Sequence, residues 1–107
     1  MGDTKRVGVL GAGSFGIAIS NLIAKNRDVL IYARKTELSE KINQQHEHLG
    51  VKLSERIVAT SNIEEIASNC TLLFPIVPSH SFRDLIQQLS PYLKPYHIII
   101  HLSLIHI

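Results

Sequence analysis

Val7-Gly8-Val9-Leu10-Gly11-Ala12-Gly13-Ser14-Phe15-Gly16 is the stretch on which the reading of this chain turns. Val7 to Leu10 is a short apolar run that stops at a glycine, the mark of a strand buried on both faces. Ser14 to Lys25 follows with Phe15, Ile19, Leu22 and Ile23 at helical spacing, which predicts a helix with those four residues on one face. Between the two lies G-x-G-x-x-G, directly after a strand and at the opening of a helix.

That context gives each glycine a mechanical task. Gly11 permits the tight strand-to-helix turn, and Ala12 sits within it. Gly13 has no side chain, so the backbone can approach a pyrophosphate. Gly16 lets the helix pack close to the strand. The helix start then offers free N–H groups and a partial positive charge to phosphates. The spacing points to dinucleotide binding; the plain alternative is a glycine-rich turn that binds nothing.

Moving outward, strand and helix patterns alternate. Val29 to Ala33 predicts a second strand and Thr36 to Glu47 a polar surface helix with Leu38 and Ile42 four apart. Arg56 to Ala59 predicts a third strand. Ser61-Asn62-Ile63-Glu64 matches a capping box with Ser61 as N-cap, opening a helix that ends near Asn69. Thr71 to Val77 predicts a fourth strand, in which Pro75 removes one ladder donor. Ser79 is placed to cap a helix carrying Phe82, Leu85, Ile86 and Leu89 as a core stripe, and His97 to His101 predicts a fifth strand. Strands separated by helices imply a parallel sheet: a doubly wound α/β fold of about five strands, truncated after the fifth, with its ligand in the crevice between the first and fourth.

The end of the second strand should read the adenosine ribose. An NAD-selective site usually has Asp or Glu there; this chain has Ala33-Arg34-Lys35. Two cations suit a 2′-phosphate, so NADP is favoured over NAD, although Arg34 and Lys35 could also be a solvated strand exit.

Composition narrows the class. With 107 residues, 45% hydrophobic and 19% charged, the chain has the make-up of one packed domain and not of a disordered segment. A net charge of +2 without a Lys/Arg run gives no reason to expect a nucleic-acid partner. One cysteine, Cys70, excludes an internal disulfide and reads as a small buried hydrophobe. Its solitude favours a reducing compartment. Apolar runs are too short to span a membrane, and the expected location is cytoplasmic. His46 and His48 flank Glu47 at the end of the polar helix pattern, where they diverge, so no metal site is expected. His80 reads as a surface histidine, and Arg83 as either a phosphate neutraliser or a helix ion pair.

Several of these residues together resemble the N-terminal region of the bacterial glycerol-3-phosphate dehydrogenase family: Gly11 to Gly16, Ile31-Tyr32-Ala33-Arg34, Lys41-Ile42-Asn43, and Val77-Pro78-Ser79 with Arg83 after it. The resemblance covers residues 7 to about 101. It implies reduction of dihydroxyacetone phosphate to sn-glycerol 3-phosphate with NADP or NAD, feeding phospholipid synthesis. By position it implies cofactor contacts from Ser14 and Phe15 at the fingerprint, Arg34 and Lys35 at the adenosine end, and Val77 and Pro78 along the groove. The family often has Trp where Phe15 stands.

The match fails near the C-terminus. The family continues into a Thr/Ser-Lys-Gly turn whose lysine contacts cofactor and substrate, and Leu104 stands where that lysine is expected. Residues 1–103 are therefore expected to be an incomplete cofactor domain and 104–107 a non-native tail, with the helical substrate domain and its catalytic lysine absent and the fragment itself inactive. The oligomeric state is left open, a homodimer being one expectation for the full-length protein. Two rival readings remain: a related hydroxy-acid or keto-acid reductase, and a non-catalytic nucleotide-sensing module.

Overall fold

The computed structural model describes residues 6–100. The expectations placed on His101, on Leu104 and on the tail lie outside the described residues.

The main sheet has five parallel strands: β1 (Arg6–Leu10), β2 (Val29–Tyr32), β5 (Ile57–Thr60), β6 (Cys70–Pro75) and β7 (Ile98–Ile99). Their spatial order is β5-β2-β1-β6-β7. The chain builds outward from β1 through β2 to β5, then returns to the other side of β1 for β6 and β7. The direction of winding reverses at β1, which opens a crevice above β1 and β6.

Strand alternation divides the core in two. Val9, Val29, Ile31, Ile57 and Ala59 point to one face and pack with Ile17 of α1 (Ser14–Ile23) and Ile42 of α2 (Thr36–Gln45). Leu10, Leu30, Tyr32 and Leu73 point to the other, against Ile66 of α3 (Ile63–Asn69) and Leu85 and Leu89 of α4 (Ser79–Leu89). With helices on both faces, the near-continuous apolar strands are explained. Cys70 is fully buried as the first residue of β6.

Four local expectations are corrected. In α1 the sheet-facing stripe is Gly16, Ile17 and Ser20, continued by Ala24, while Phe15 and Leu22 are 41% and 59% exposed. Close approach at Gly16 puts Gly16, Ser20 and Ala24 on the contact line beside Ile17; of the expected face, Ile19 and Ile23 are half-buried and pack against the same core, and Phe15 and Leu22 turn outward. The N-cap of α3 is Asn62, not Ser61: the Asn62 side chain accepts from the Glu64 N–H at 3.0 Å, whereas the Ser61 hydroxyl pairs with that of Thr36. Ser79 is the first residue of α4, not its cap; Pro78 holds that place, with no side-chain cap bond.

The fourth correction follows α2. The helix stops at Gln45 with His46 in the left-handed region (φ 51°), and residues 47 to 52 form a hairpin of β3 (Glu47–His48) and β4 (Val51–Lys52). Leu49 and Gly50 both have positive φ, which is the two-residue turn that strand twist favours. Pro75 ends β6, where the Ile76 N–H bonds the Leu10 carbonyl of β1. N–H groups alternate sides along a strand, so the donor that Pro75 lacks faces β7 and the β1–β6 bonding at this end of the strands is kept.

Candidate functional site: a glycine-floored cleft at the sheet switch point

The glycine loop is held from three sides. The Gly11 N–H donates to the Tyr32 carbonyl at 3.1 Å and ties the loop to β2. Gly11 has φ +137°, and a Cβ there would lie 2.0 Å from the Ile76 carbonyl oxygen. Only glycine can make that crossing. A Cβ at Gly16 would lie 2.3 Å from the Gly11 carbonyl oxygen, so the first turn of α1 rests on the loop itself. Gly13 is different: a Cβ there meets nothing within 4 Å. Its missing side chain faces open space above the loop, at the start of α1.

Gly13 is also the N-cap of α1, with no side-chain cap bond and no acidic residue in the first turn. The first helical bond runs from the Ile17 N–H to the Gly13 carbonyl. The N–H groups of Ser14, Phe15 and Gly16 therefore have no partner within the helix and lie at the positive end of its dipole. Uncapped donors, a clear approach and positive potential together suit an anionic diphosphate.

Beside this loop a cleft of about 220 Å³ opens at the carboxyl ends of β1, β2 and β6. Gly11 and Ala12 form its floor, and Tyr32 and Arg34 one wall. Val77 and Pro78 line it beyond β6, and a stripe of α4 closes the opposite side. The residues expected from the sequence thus divide. Gly11, Ala12, Arg34, Val77 and Pro78 share the cleft; Gly13, Ser14 and Phe15 lie exposed at the adjoining helix start, with Gly16 buried beneath them. Lys35 is exposed as the N-cap of α2 and does not line the cleft, nor do His80 and Arg83.

Two features escaped the sequence reading. Ser81, Asp84, Leu85 and Gln88 line the cleft from α4, spaced as one helical face beginning just after Val77-Pro78. That spacing was the available signal, masked by the stronger apolar stripe beside it. The other is His48, whose Nε2 lies 3.0 Å from the Ala12 carbonyl oxygen. A carbonyl can only accept, so Nε2 carries the proton and donates. The hairpin is anchored below by Asn21 of α1, which donates to the Lys52 carbonyl and accepts from the Ser54 N–H. His48 thus belongs to a strap across the glycine loop, not to the end of a helix.

The family model described as NAD-dependent glycerol-3-phosphate dehydrogenase N-terminus matches residues 6–104. Glycerol-3-phosphate dehydrogenase [NAD(P)+] of Carboxydothermus hydrogenoformans is 41% identical over 106 residues, covering 94% of this chain and 31% of that protein. The enzyme of the same name from Acinetobacter baumannii is 38% identical over 93 residues, covering 82% of this chain and 26% of its own length. Among solved structures, glycerol-3-phosphate dehydrogenase from Coxiella burnetii superposes with a TM-score of 0.82 at 19% identity, covering 92% of this chain and 32% of that one. The chain thus spans about a third of the length of the curated relatives it matches.

Proposed function

Because the chain belongs to the family of NAD-dependent glycerol-3-phosphate dehydrogenase N-termini, we propose that its cleft holds a nicotinamide dinucleotide for an enzyme interconverting dihydroxyacetone phosphate and sn-glycerol 3-phosphate. One observation carries the reading: of the three fingerprint glycines, Gly11 and Gly16 are filled against backbone while Gly13 opens onto space beside uncapped helix donors. Gly13 also has φ −78°, so neither a close contact nor its backbone conformation calls for glycine there.

In this reading the N–H groups of Ser14, Phe15 and Gly16 hold the diphosphate, and Phe15, 41% exposed, offers an apolar face beside it. Val77 and Pro78 exclude water from the groove. Arg34 lines the cleft with no salt bridge to any described carboxylate, free to fork onto a 2′-phosphate, with Lys35 adding charge nearby. NADP is accordingly favoured over NAD. When bound, the reduced nicotinamide supplies hydride to the carbonyl carbon of the substrate; the protein supplies orientation and field.

The full-length enzyme would act in the cytoplasm, in glycerophospholipid synthesis, on a small phosphorylated substrate, with a homodimer as its assembly. Among the described residues no helix is long and apolar enough to cross a membrane. In this reading residues 1–103 belong to the cofactor domain and 104–107 to a non-native tail, and other residues of the longer enzyme hold dihydroxyacetone phosphate in line with the cofactor.

Fluorescence titration with NADPH and NADH tests the assignment. Arg34→Ala should weaken NADPH by about tenfold and NADH by little, since only the former loses a charge-assisted pair. Equal weakening of both would remove the 2′-phosphate assignment, and absence of binding to either would remove the cofactor reading itself.

A further inference from the structure

The cleft has opposite electrical signs at its two sides. Arg34 stands at the end of β2, and the positive end of α1 lies beside the floor. Across from them Asp84 projects from α4 with Gln88 one turn further on. Asp84 has no salt bridge with any described residue, so its charge is not cancelled within the described structure. A carboxylate in a phosphate-binding cleft is unfavourable unless it faces a part of the ligand that carries donors and no negative charge.

The dinucleotide placed here under the preceding reading has two such parts on its adenosine side, the ribose hydroxyls and the adenine 6-amino group; the ribose is the part assigned to the end of β2 beside Arg34, which leaves the 6-amino group for α4. Its phosphates are anionic and belong with the α1 start and Arg34. Its adenine ring is flat and apolar on both faces, and its 6-amino group carries two N–H donors. The wall between the signs suits the ring: Val77, Pro78 and Leu85 are apolar, and they line the same cleft as Asp84. Asp84 and Gln88 lie four apart on one helix face, so their polar ends stand side by side. A carboxylate accepts only, whereas the Gln88 amide can donate to a ring nitrogen and accept from an amine.

We infer that Asp84 is a specificity-determining residue that accepts a hydrogen bond from the 6-amino group of the adenine ring, so that the cleft selects adenine over bases bearing a carbonyl at that position. The inference rests on the dinucleotide reading and adds to it the side chain that reads the base. It also sets the polarity of the bound molecule: phosphates toward Arg34, base edge toward α4.

The test compares NADPH with its hypoxanthine counterpart, in which the 6-amino group is replaced by a carbonyl and ring N1 changes from an acceptor to an N–H donor. Both report by nicotinamide fluorescence, so no turnover is needed. The unmodified 107-residue chain should bind the hypoxanthine form more weakly by about tenfold, the size expected when a hydrogen bond to a charged group is replaced by two facing acceptors. Asp84→Asn should erase most of that preference, because an amide can turn its NH₂ toward a carbonyl; Asp84→Glu, which keeps the carboxylate, should retain its direction. Asp84 is exposed, and the comparison within the unmodified chain does not depend on any variant folding. Equal affinity for the two nucleotides in the unmodified chain, or an undiminished preference in Asp84→Asn, overturns the role of Asp84 while leaving dinucleotide binding intact. Failure of both nucleotides to bind overturns the underlying reading and this inference with it.

Discussion

A methyl group added at Gly16 would stand 2.3 Å from the carbonyl oxygen of Gly11, and neither atom can move without shifting the backbone of the loop or the helix. Gly16→Ala should therefore destabilise the chain by about 2 kcal/mol or more, the scale of overpacking against a rigid neighbour. Thermal unfolding followed by far-UV circular dichroism measures it; an unchanged midpoint would show that the helix start can slide away from the loop. At this scale the sequence was most legible. The spacing of Gly11, Gly13 and Gly16 assigned three different tasks, and their surroundings differ: Gly11 and Gly16 press on backbone, and Gly13 is open. Leu49 was not legible: it adopts φ 55° with its side chain 57% exposed, a conformation usually left to Gly, Asn or Asp, so Leu-Gly at 49–50 gave no turn signal.

Elements depend on a few side chains that stitch backbone across distance. Asn43 of α2 does this twice, donating from Nδ2 to the Ala59 carbonyl at 2.9 Å and accepting at Oδ1 from the Ala59 N–H at 2.7 Å. These bonds occupy the outer side of β5, the strand at the end of the sheet order, and satisfy groups that β2 cannot reach. Asn43→Ala should cost about 1–3 kcal/mol, because two backbone groups lose their partner together. A shift in denaturant midpoint smaller than experimental scatter would argue that water replaces the amide without loss. Motif resemblance drew attention to Lys41-Ile42-Asn43, but only the fold explains it: Ile42 fills the core and Asn43 caps a sheet edge.

A second stitch is electrostatic. Arg56 Nε lies 2.9 Å from Asp28 Oδ1 between the entries to β5 and β2. The hydrogen bond from Arg56, with the positive fields of Arg56, Arg6 and Arg27, holds the Asp28 carboxyl below its ordinary value of 3.8 against a smaller opposing effect of desolvation. A lowered folded pKa means that the pair contributes above the unfolded value and that the contribution is lost as pH falls through the folded one. Asp28→Asn should thus melt slightly below the unmodified chain near pH 7 and level with it near pH 2. A gap that widened on acidification would reverse the assignment. Pairings of this kind join residues 28 apart, and no local pattern announces them. The face of α1 was misread for a related reason: apolar periodicity marked Phe15 and Leu22, whereas contact distance at Gly16 decided which residues meet the sheet.

At the scale of the molecule, the alternation of strand and helix patterns gave a parallel, doubly wound sheet, with the crevice expected between the first and fourth strands. What it did not give was the far wall. Ser81, Asp84 and Gln88 reach the cleft only because β6 crosses to the other side of β1 and delivers α4 opposite Arg34, a consequence of sheet order. The hairpin strap is likewise a tertiary product, since His48 reaches Ala12 across 36 positions of sequence.

On the proposed reading, the diphosphate meets the helix start in the open space at Gly13. Gly13 has φ −78° and ψ −176°, an extended conformation open to any residue, so Gly13→Val should fold with a loss of about 1 kcal/mol from its poorer N-cap. Titrating that variant with NADPH, beside a circular dichroism spectrum proving the fold, is the decisive measurement. Affinity should fall by more than about tenfold, because the added isopropyl group stands between the amide donors and the phosphates. A folded Gly13→Val chain that binds NADPH as tightly as the unmodified one would contradict it.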